Sequence, residues 1–405
     1  MPARPAAVGR RAAITATDNG TVRAEDPIQV YQRMSALAAE LGAINLAQGV
    51  PEPRYDDRWR AAIAAALPGS HFQYTQARGI PELRSAVAAH LGIIDADPVI
   101  TSGCTESLLI ALHVLRSRGC ERALWLEPYY SYYPGLARLA GLEHGCVPVD
   151  FASGRPLLDL DRLRRALTER GSRSRTVLVL NSPHNPSGLT LEAGQWQRIR
   201  ELVASTGSTV LIDDVYRDFR YGAAEPPYRD LLADGTTMIA GSLSKSLAAT
   251  GLRLGWLLAS PDVAAAAEAV HMHMSNCAPE FAQRAAITLL TGTTPAELAE
   301  TTAAYRDKRD VLVPALAAAG FEVVVPDGGH FAMARDAAET DGRPDTTAAA
   351  HALAHAVGVV PLPLDTFFEP GSPSRSAWLR FSFAVRADAV AEATRRLAAR
   401  PRRHA

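Results

Sequence analysis

Ser242-Leu243-Ser244-Lys245, followed by Gly251-Leu252-Arg253-Leu254-Gly255, is the stretch on which the reading of this chain turns. A lysine becomes a good imine former when burial or a neighbouring positive charge lowers its ammonium pKa. Ser242, Ser244 and Arg253 are donors suited to a phosphate, the arginine because its fork is planar and always charged. Alone, Ser-x-x-Lys is a weak signal, since a lysine between small residues is more often a surface residue. Its weight comes from the segments that precede and follow it.

Between residues 98 and 260, short apolar runs alternate with amphipathic ones. Strands are expected at Pro98–Thr101, Ala123–Glu127, Cys146–Val149, Thr176–Asn181, Val210–Asp213, Thr237–Gly241 and Leu254–Ala259. Helical patterns lie between several of them, such as Glu106–Arg116 and Ala193–Ala204. This alternation predicts an α/β fold: a mostly parallel seven-stranded sheet covered on both faces, with ligands bound beyond the carboxyl ends of its strands. After Gly292 the pattern changes to a long helix over Pro295–Ala319, short strands at Phe321–Val325, Phe331–Ala334, Val357–Leu362 and Leu379–Phe383, and a last helix over Asp388–Ala399. That predicts a smaller α+β domain. The expected division is a leader at 1–25, an N-terminal segment at 26–58 joining the small domain, a large domain at 59–294 and a small domain at 295–405.

The bulk numbers remove several function classes. The 405 residues carry a net charge of -1, which favours neither nucleic acid nor an anionic membrane as partner. No apolar run reaches the roughly 18 residues of a membrane helix. The four cysteines, Cys104, Cys120, Cys146 and Cys277, have no CxxC spacing and read as reduced thiols of a cytoplasmic protein. The first 25 residues lack the apolar core of a secretory signal and are expected to be a disordered leader.

Several candidate groups follow the expected strands. Asp213 ends one, with Tyr216 three residues on; a carboxylate there can keep a heteroaromatic ring nitrogen protonated, although a lone Asp-x-x-Tyr reads equally as turn chemistry. Asn181-Ser182-Pro183-His184-Asn185-Pro186-Ser187-Gly188 follows another, a tight loop whose asparagines can present amides to a ligand oxygen. Ser102-Gly103-Cys104-Thr105 precedes a helix and suits an anion. Tyr129-Tyr130 follows Glu127-Pro128 and offers an aromatic face, or merely core. Arg380, inside Trp378-Leu379-Arg380-Phe381-Ser382-Phe383, must find an anionic partner: a substrate carboxylate, or a structural salt bridge. His351-x-x-x-His355 and His271-x-His273 have metal-like spacing without a carboxylate ligand and read as solvated pairs.

Taken in order, these segments resemble fold type I pyridoxal 5'-phosphate (PLP) enzymes, in particular class I/II aminotransferases. Met34-Ser35-Ala36-Leu37-Ala38-Ala39-Glu40, Ile44-Asn45-Leu46-Ala47-Gln48-Gly49-Val50-Pro51, Gln73-Tyr74-Thr75, Gly79-Ile80-Pro81-Glu82-Leu83-Arg84 and Asp327-Gly328-Gly329-His330-Phe331 resemble the kynurenine, glutamine and methionine aminotransferase branch. The resemblance implies that Lys245 is the Schiff-base lysine and proton shuttle, that Asp213 pairs with the pyridine nitrogen, and that Asn185 and Tyr216 donate to the ring's phenolic oxygen. It implies that Tyr130 stacks on the ring. Gly103, Cys104, Thr105, Ser242, Ser244 and Arg253 would form the phosphate site, with Tyr74 reaching in from a second subunit of a homodimer. Arg380 and Asn185, with Gly49 and Tyr130 nearby, would take the substrate.

The implied reaction is ping-pong transfer of an amino group from an L-amino acid to a 2-oxo acid. A neutral donor, bulky, aromatic or sulfur-containing, is expected because Ala269-Val270-His271-Met272-His273-Met274 holds no arginine or lysine. Cys104 where Ala is usual, His330 before Phe331, and Leu362-Pro363-Leu364-Asp365-Thr366-Phe367 depart from the pattern and leave the substrate open. They also leave open elimination, replacement, cyclisation or oxidation with the same cofactor. An aminotransferase-like regulator is disfavoured by the short segment before Met34.

Overall fold

A large sheet orders its strands as Val99–Thr101, Gly255–Leu258, Thr237–Ser242, Thr209–Asp213, Arg175–Asn181, Cys120–Glu127 and Glu143–Pro148. Neighbouring strands are parallel except around Gly255–Leu258, which runs antiparallel to both of its neighbours. The computed structural model describes residues 27–169, 175–222, 224–337 and 345–400. The expected leader at 1–25 and most of the basic tail lie outside the described residues.

Strand pleat explains why the sheet's strands read as continuous apolar runs rather than alternating ones. Successive side chains face opposite ways. Leu124, Leu126, Leu178, Leu180, Val210 and Ile212 enter one core. Ala123, Trp125, Val177, Val179 and Leu211 enter another on the opposite face. Helices Ala193–Thr206 and Cys104–Ser117 contribute Trp196 and Ile199 to the first core and Leu108 and Ile110 to the second. Both faces are therefore dry, as a parallel sheet requires.

A third core gathers helix Pro27–Leu41, through Val30, Met34 and Leu37, with Leu312, Leu353 and Leu397 from the C-terminal helices. Its sheet runs Leu362–Pro363, Leu379–Ser382, Phe331–Asp336, Phe321–Val324, all antiparallel. The long helix spans Pro295–Ala318 and opens with a Thr294/Glu297 capping box. The continuous strand expected over Val357–Leu362 does not form. Helix Thr346–Val357 runs through its first residue and stops at Gly358, whose φ of 67° caps it in the left-handed region. Val359–Val360 then pairs in parallel with Ile44–Asn45, while Leu362–Pro363 pairs with Leu379–Ser382. Pro361, which has no backbone donor, separates the two. Among the described residues no helix is long and apolar enough to cross a membrane.

Candidate active site

Because four parallel strands end at Glu127, Asn181, Asp213 and Ser242, those residues share one edge of the sheet. Asn181 and Asp213 are register partners, and so are Asp213 and Ala240. Asn181 fastens this edge: its amide nitrogen donates to the Asp213 carbonyl at 2.8 Å, and its side-chain oxygen accepts from the Asn185 N–H at 2.6 Å. The Pro-rich loop after residue 181 is thereby tied to the strand beside it.

Lys245 lies on a single turn, Leu243–Ser246, whose N-cap Ser242 accepts from the Ser244 N–H at 3.3 Å. Ser242 and Ser244 are both buried. The Lys245 ammonium donates to the Gly49 carbonyl at 2.6 Å. Burial, reinforced by the charges of Arg380 and Arg253, brings its pKa down to about 8, with Asp213 opposing the shift. Gly49 must be glycine here, since a Cβ would sit 2.6 Å from the Phe331 ring.

Asp213 is buried and doubly contacted. Tyr133 Oη donates to Oδ2 at 2.7 Å, and the Cys104 thiol approaches Oδ1 at 3.5 Å. Burial raises the Asp213 pKa; Tyr133, Cys104, the Val215 N–H and Lys245 work against that rise. Helix Cys104–Ser117 points its N-terminus at this region, with Gly103 as N-cap at φ 96°. A Cβ on Gly103 would lie 2.4 Å from the Arg253 guanidinium. The first-turn N–H groups, including those near Cys104 and Thr105, thus sit against the arginine that the sequence pairs with them, an arrangement suited to an anion. Arg253 itself holds φ 51°, with Nη1 donating to the Thr250 carbonyl at 3.1 Å.

Arg380 is 1% exposed. Its Nη1 donates to Asn185 Oδ1 at 2.9 Å and its Nη2 to the Ala47 carbonyl at 2.9 Å. The rings of Phe331, Phe367 and Tyr31 lie 3.9, 5.4 and 5.6 Å from its guanidinium carbon. Among the described residues no carboxylate forms an ion pair with it, so the structural salt bridge weighed from the sequence is not made. Tyr216 is buried, with its ring edge-on to Phe331 at 5.9 Å. Tyr130 is half-buried and stacks on Tyr132 at 4.8 Å. Tyr74 is 79% exposed and touches none of these groups in one chain.

Sequence reasoning missed three contributors. Tyr133 follows the Tyr129-Tyr130 pair in sequence without a signal of its own; it opens helix Tyr133–Leu139 and from there reaches Asp213. Asn181 stood out only as one of the loop asparagines facing a ligand; its bonds to the Asp213 carbonyl and the Asn185 N–H left no signal. Tyr31 lies on helix Pro27–Leu41, remote in sequence from everything it meets. The histidine pairs behave as solvated or structural groups. His271 is fully buried with Nδ1 3.3 Å from Glu106, and no metal cluster occurs among the described residues.

A parallel-sheet edge carrying a buried lysine, an aspartate and an anion-suited helix end is an arrangement that suits an enzyme acting with a bound phosphate-bearing cofactor. The family "Aminotransferase class I and II" matches residues 42–397, and the chain belongs to it. It is a PLP-dependent transferase. It is 34% identical over 391 residues to a probable N-succinyldiaminopimelate aminotransferase of Mycobacterium tuberculosis, covering 91% of this chain and 95% of that protein. It is 31% identical over 380 residues to an arginine–pyruvate transaminase of Pseudomonas aeruginosa, covering 90% and 92%. The solved structure of the Mycobacterium tuberculosis N-succinyldiaminopimelate aminotransferase superposes with a TM-score of 0.81 at 31% identity, over 91% of this chain and 96% of that one.

The residues present fit the cofactor of that family. Lys245 is held partly toward its neutral, nucleophilic form. Gly103 leaves the space beside Arg253 that a side chain would fill. Asp213 is oriented by two donors and, among the described residues, carries no ion pair.

Proposed function

We propose that the enzyme moves the amino group of a neutral L-amino acid, with a bulky, aromatic or sulfur-containing side chain, to a 2-oxo acid. The observation that carries this reading is Arg380: a buried cation facing two neutral oxygens and three rings, with no carboxylate partner. A buried unpaired charge is costly, and a substrate α-carboxylate would complete it bidentately.

When bound, PLP supplies an aldehyde for imine formation and a ring that takes up the electron pair of a broken Cα–H bond. Lys245 holds the cofactor and, once displaced by the donor, takes the α-proton at Nζ. Asp213 keeps the ring nitrogen protonated. Asn185 spends its side-chain oxygen on Arg380, which leaves its amide N–H groups free in direction for the ring's phenolic oxygen, beside Tyr216. Tyr130 covers the ring face. Gly103, Cys104, Thr105, Ser242, Ser244 and Arg253 bind the phosphate, joined by Tyr74 of a second copy in a homodimer. Gly49 receives the Lys245 ammonium through its carbonyl. The residues that would hold the cofactor belong mainly to a large domain at 59–294, beside a smaller one built from 26–58 and 295–405 that supplies Arg380, in a protein of the cytoplasm.

The neutral-donor reading rests on the walls around Arg380 and on the 269–274 stretch. His271 there is turned into the core against Glu106 and is not offered to a ligand. The relatives described above are named for N-succinyldiaminopimelate and for arginine, and donor choice is tested directly. Incubating the loaded enzyme with one amino acid at a time, without acceptor, should release one equivalent of 2-oxo acid per site for a true donor. Release of ammonia with the oxo acid would instead mark elimination or oxidation.

A further inference from the structure

Glu127 ends the strand next to one edge of the large sheet, is 2% exposed and makes no ion pair among the described residues. A buried carboxylate without a cation is an expensive way to fill space. Both of its oxygens are spent on one loop. Oε1 accepts from the Glu369 N–H at 2.7 Å and Oε2 from Ser372 Oγ at 2.6 Å. Next to it, the Tyr129 N–H donates to the Phe367 carbonyl at 2.8 Å. The Glu369 side chain turns the other way, to His144 at 3.1 Å and to Cys146 at 3.4 Å.

That loop lies between the strand residues Leu362–Pro363 and Leu379–Ser382, and so leads directly into Arg380. Phe367, at its head, is fully buried and places its ring 5.4 Å from the Arg380 guanidinium. The loop's own side chains fasten its base, where Asp365 pairs with Arg375. Its middle is tied to the large sheet by the Glu369 contacts to His144 and Cys146 and by Glu127, which alone among these takes two donors, the Glu369 N–H and the Ser372 hydroxyl.

We propose that Glu127 is a positioning residue for the substrate carboxylate site: by gripping residues 369 and 372 it holds Phe367 against Arg380 and so sets the affinity for the donor. The proposal rests on the reading of Arg380 as the carboxylate-binding group. Glu127 touches neither Arg380 nor the lysine; it acts through the loop alone. Its effect belongs in ground-state and transition-state binding equally, which appears in KM and not in kcat.

The test uses the loaded full-length enzyme and 3-phenylpropionate, a monocarboxylate that cannot react, titrated by its effect on the cofactor's absorbance. Glu127→Ala should raise the dissociation constant of the probe and the KM of the donor about 10-fold, with kcat held within about 3-fold, because charge-assisted hydrogen bonds are lost. Glu127→Gln should restore both to within about 2-fold, since an amide oxygen still accepts from the Glu369 N–H. Should Glu127→Ala fail to fold, Ser372→Ala removes one bond from the loop side and should raise KM about 3-fold with the same signature. Unchanged probe binding in Glu127→Ala, a fall in kcat at constant KM, or a Gln variant as weak as the Ala variant each overturns the proposal. Arg380→Lys is the separate control: probe binding unchanged there overturns the reading of Arg380 itself, whatever Glu127 does.

Discussion

Tyr133 Oη donates to Asp213 Oδ2 at 2.7 Å, across 80 residues of chain, and it does so at the point where the sheet edge meets the cofactor's expected ring nitrogen. The bond stabilises the charged carboxylate against burial, which pushes the Asp213 pKa up. Tyr133→Phe should therefore leave Asp213 more readily protonated and less able to pair with a pyridinium. The expected result is cofactor binding weaker by about 10-fold, as for loss of one hydrogen bond to a charged group, read by titrating PLP into the cofactor-free protein. Cys104→Ala, which removes the longer 3.5 Å contact, should cost less. If Tyr133→Phe binds PLP as tightly as the parent, the tyrosine is only filling space.

Asp213→Ala should reduce kcat on the order of 10³-fold, comparable to losing a preorganised charge at a reacting centre. Asp213 is buried, and its side-chain donors are one hydroxyl and one thiol, with no ion pair among the described residues, so the melting temperature of the cofactor-free protein should hold or rise. Burial of a carboxylate is a cost that the variant removes. A variant retaining near-full kcat would show that the reaction runs without a protonated ring.

Lys245 supplies a pH dependence with a definite sign. Its pKa is lowered from 10.5 to about 8, so above pH 8 the folded cofactor-free protein has released a proton that the unfolded chain still holds. Stability then rises with pH between about 8 and 10.5 by this group's contribution, and its burial is unfavourable below pH 8. Only the neutral amine attacks an aldehyde, so the rate at which Lys245 captures PLP should climb through a midpoint near pH 8. Borohydride should then fix the cofactor on Lys245 alone. A flat rate between pH 6 and 9, or label on another lysine, would remove Lys245 from its role.

The elements of the large sheet were legible because burial on both faces makes each strand an unbroken apolar run, as in Arg175–Asn181. The expected site edge was legible because Asp213 closes such a run and Lys245 follows three residues after another one ends. Contacts made by residues far apart in sequence were not. Tyr31 reaches Arg380 from the first helix, and Glu127 reaches Ser372 across 245 residues; neither pairing leaves a local pattern. The split of residues 357–362 was hidden for a different reason. The valines and leucine of Val-Gly-Val-Val-Pro-Leu favour a strand, while the left-handed Gly358, Pro361 and the separate pairing partners divide it.

Tyr74 and Phe72 are large aromatics left 79% and 71% exposed on one chain, in a segment that the family resemblance assigns to the neighbouring subunit's phosphate site. Exposed apolar groups of this size mark contact surfaces. Mixing Lys245→Ala subunits with Tyr74→Phe subunits should regenerate one intact site in each heterodimer and recover activity that neither parent has in full. Sedimentation showing an active monomer would refute the shared site.

Donor preference is the sharpest prediction, because it follows from the charge and shape of one set of walls. An acidic donor needs a cation for its distal carboxylate, since burying that group unpaired is costly. In 269–274 the one buried candidate, His271, is already engaged by Glu106 and Ser275. Around Arg380 stand Phe331, Phe367 and Tyr31, and beyond them the stacked pair Tyr130 and Tyr132. Such walls reward apolar and aromatic area. A panel of Met, Gln, Phe, Tyr, Leu, Arg, Asp and Glu, compared by kcat/KM, should place Met, Phe, Tyr or Leu above Asp and Glu by about 10²-fold, the scale of one uncompensated buried charge. Aspartate or glutamate as best donor would mean that a cation reaches the pocket from the second subunit. Arginine as best donor would place an acid there instead.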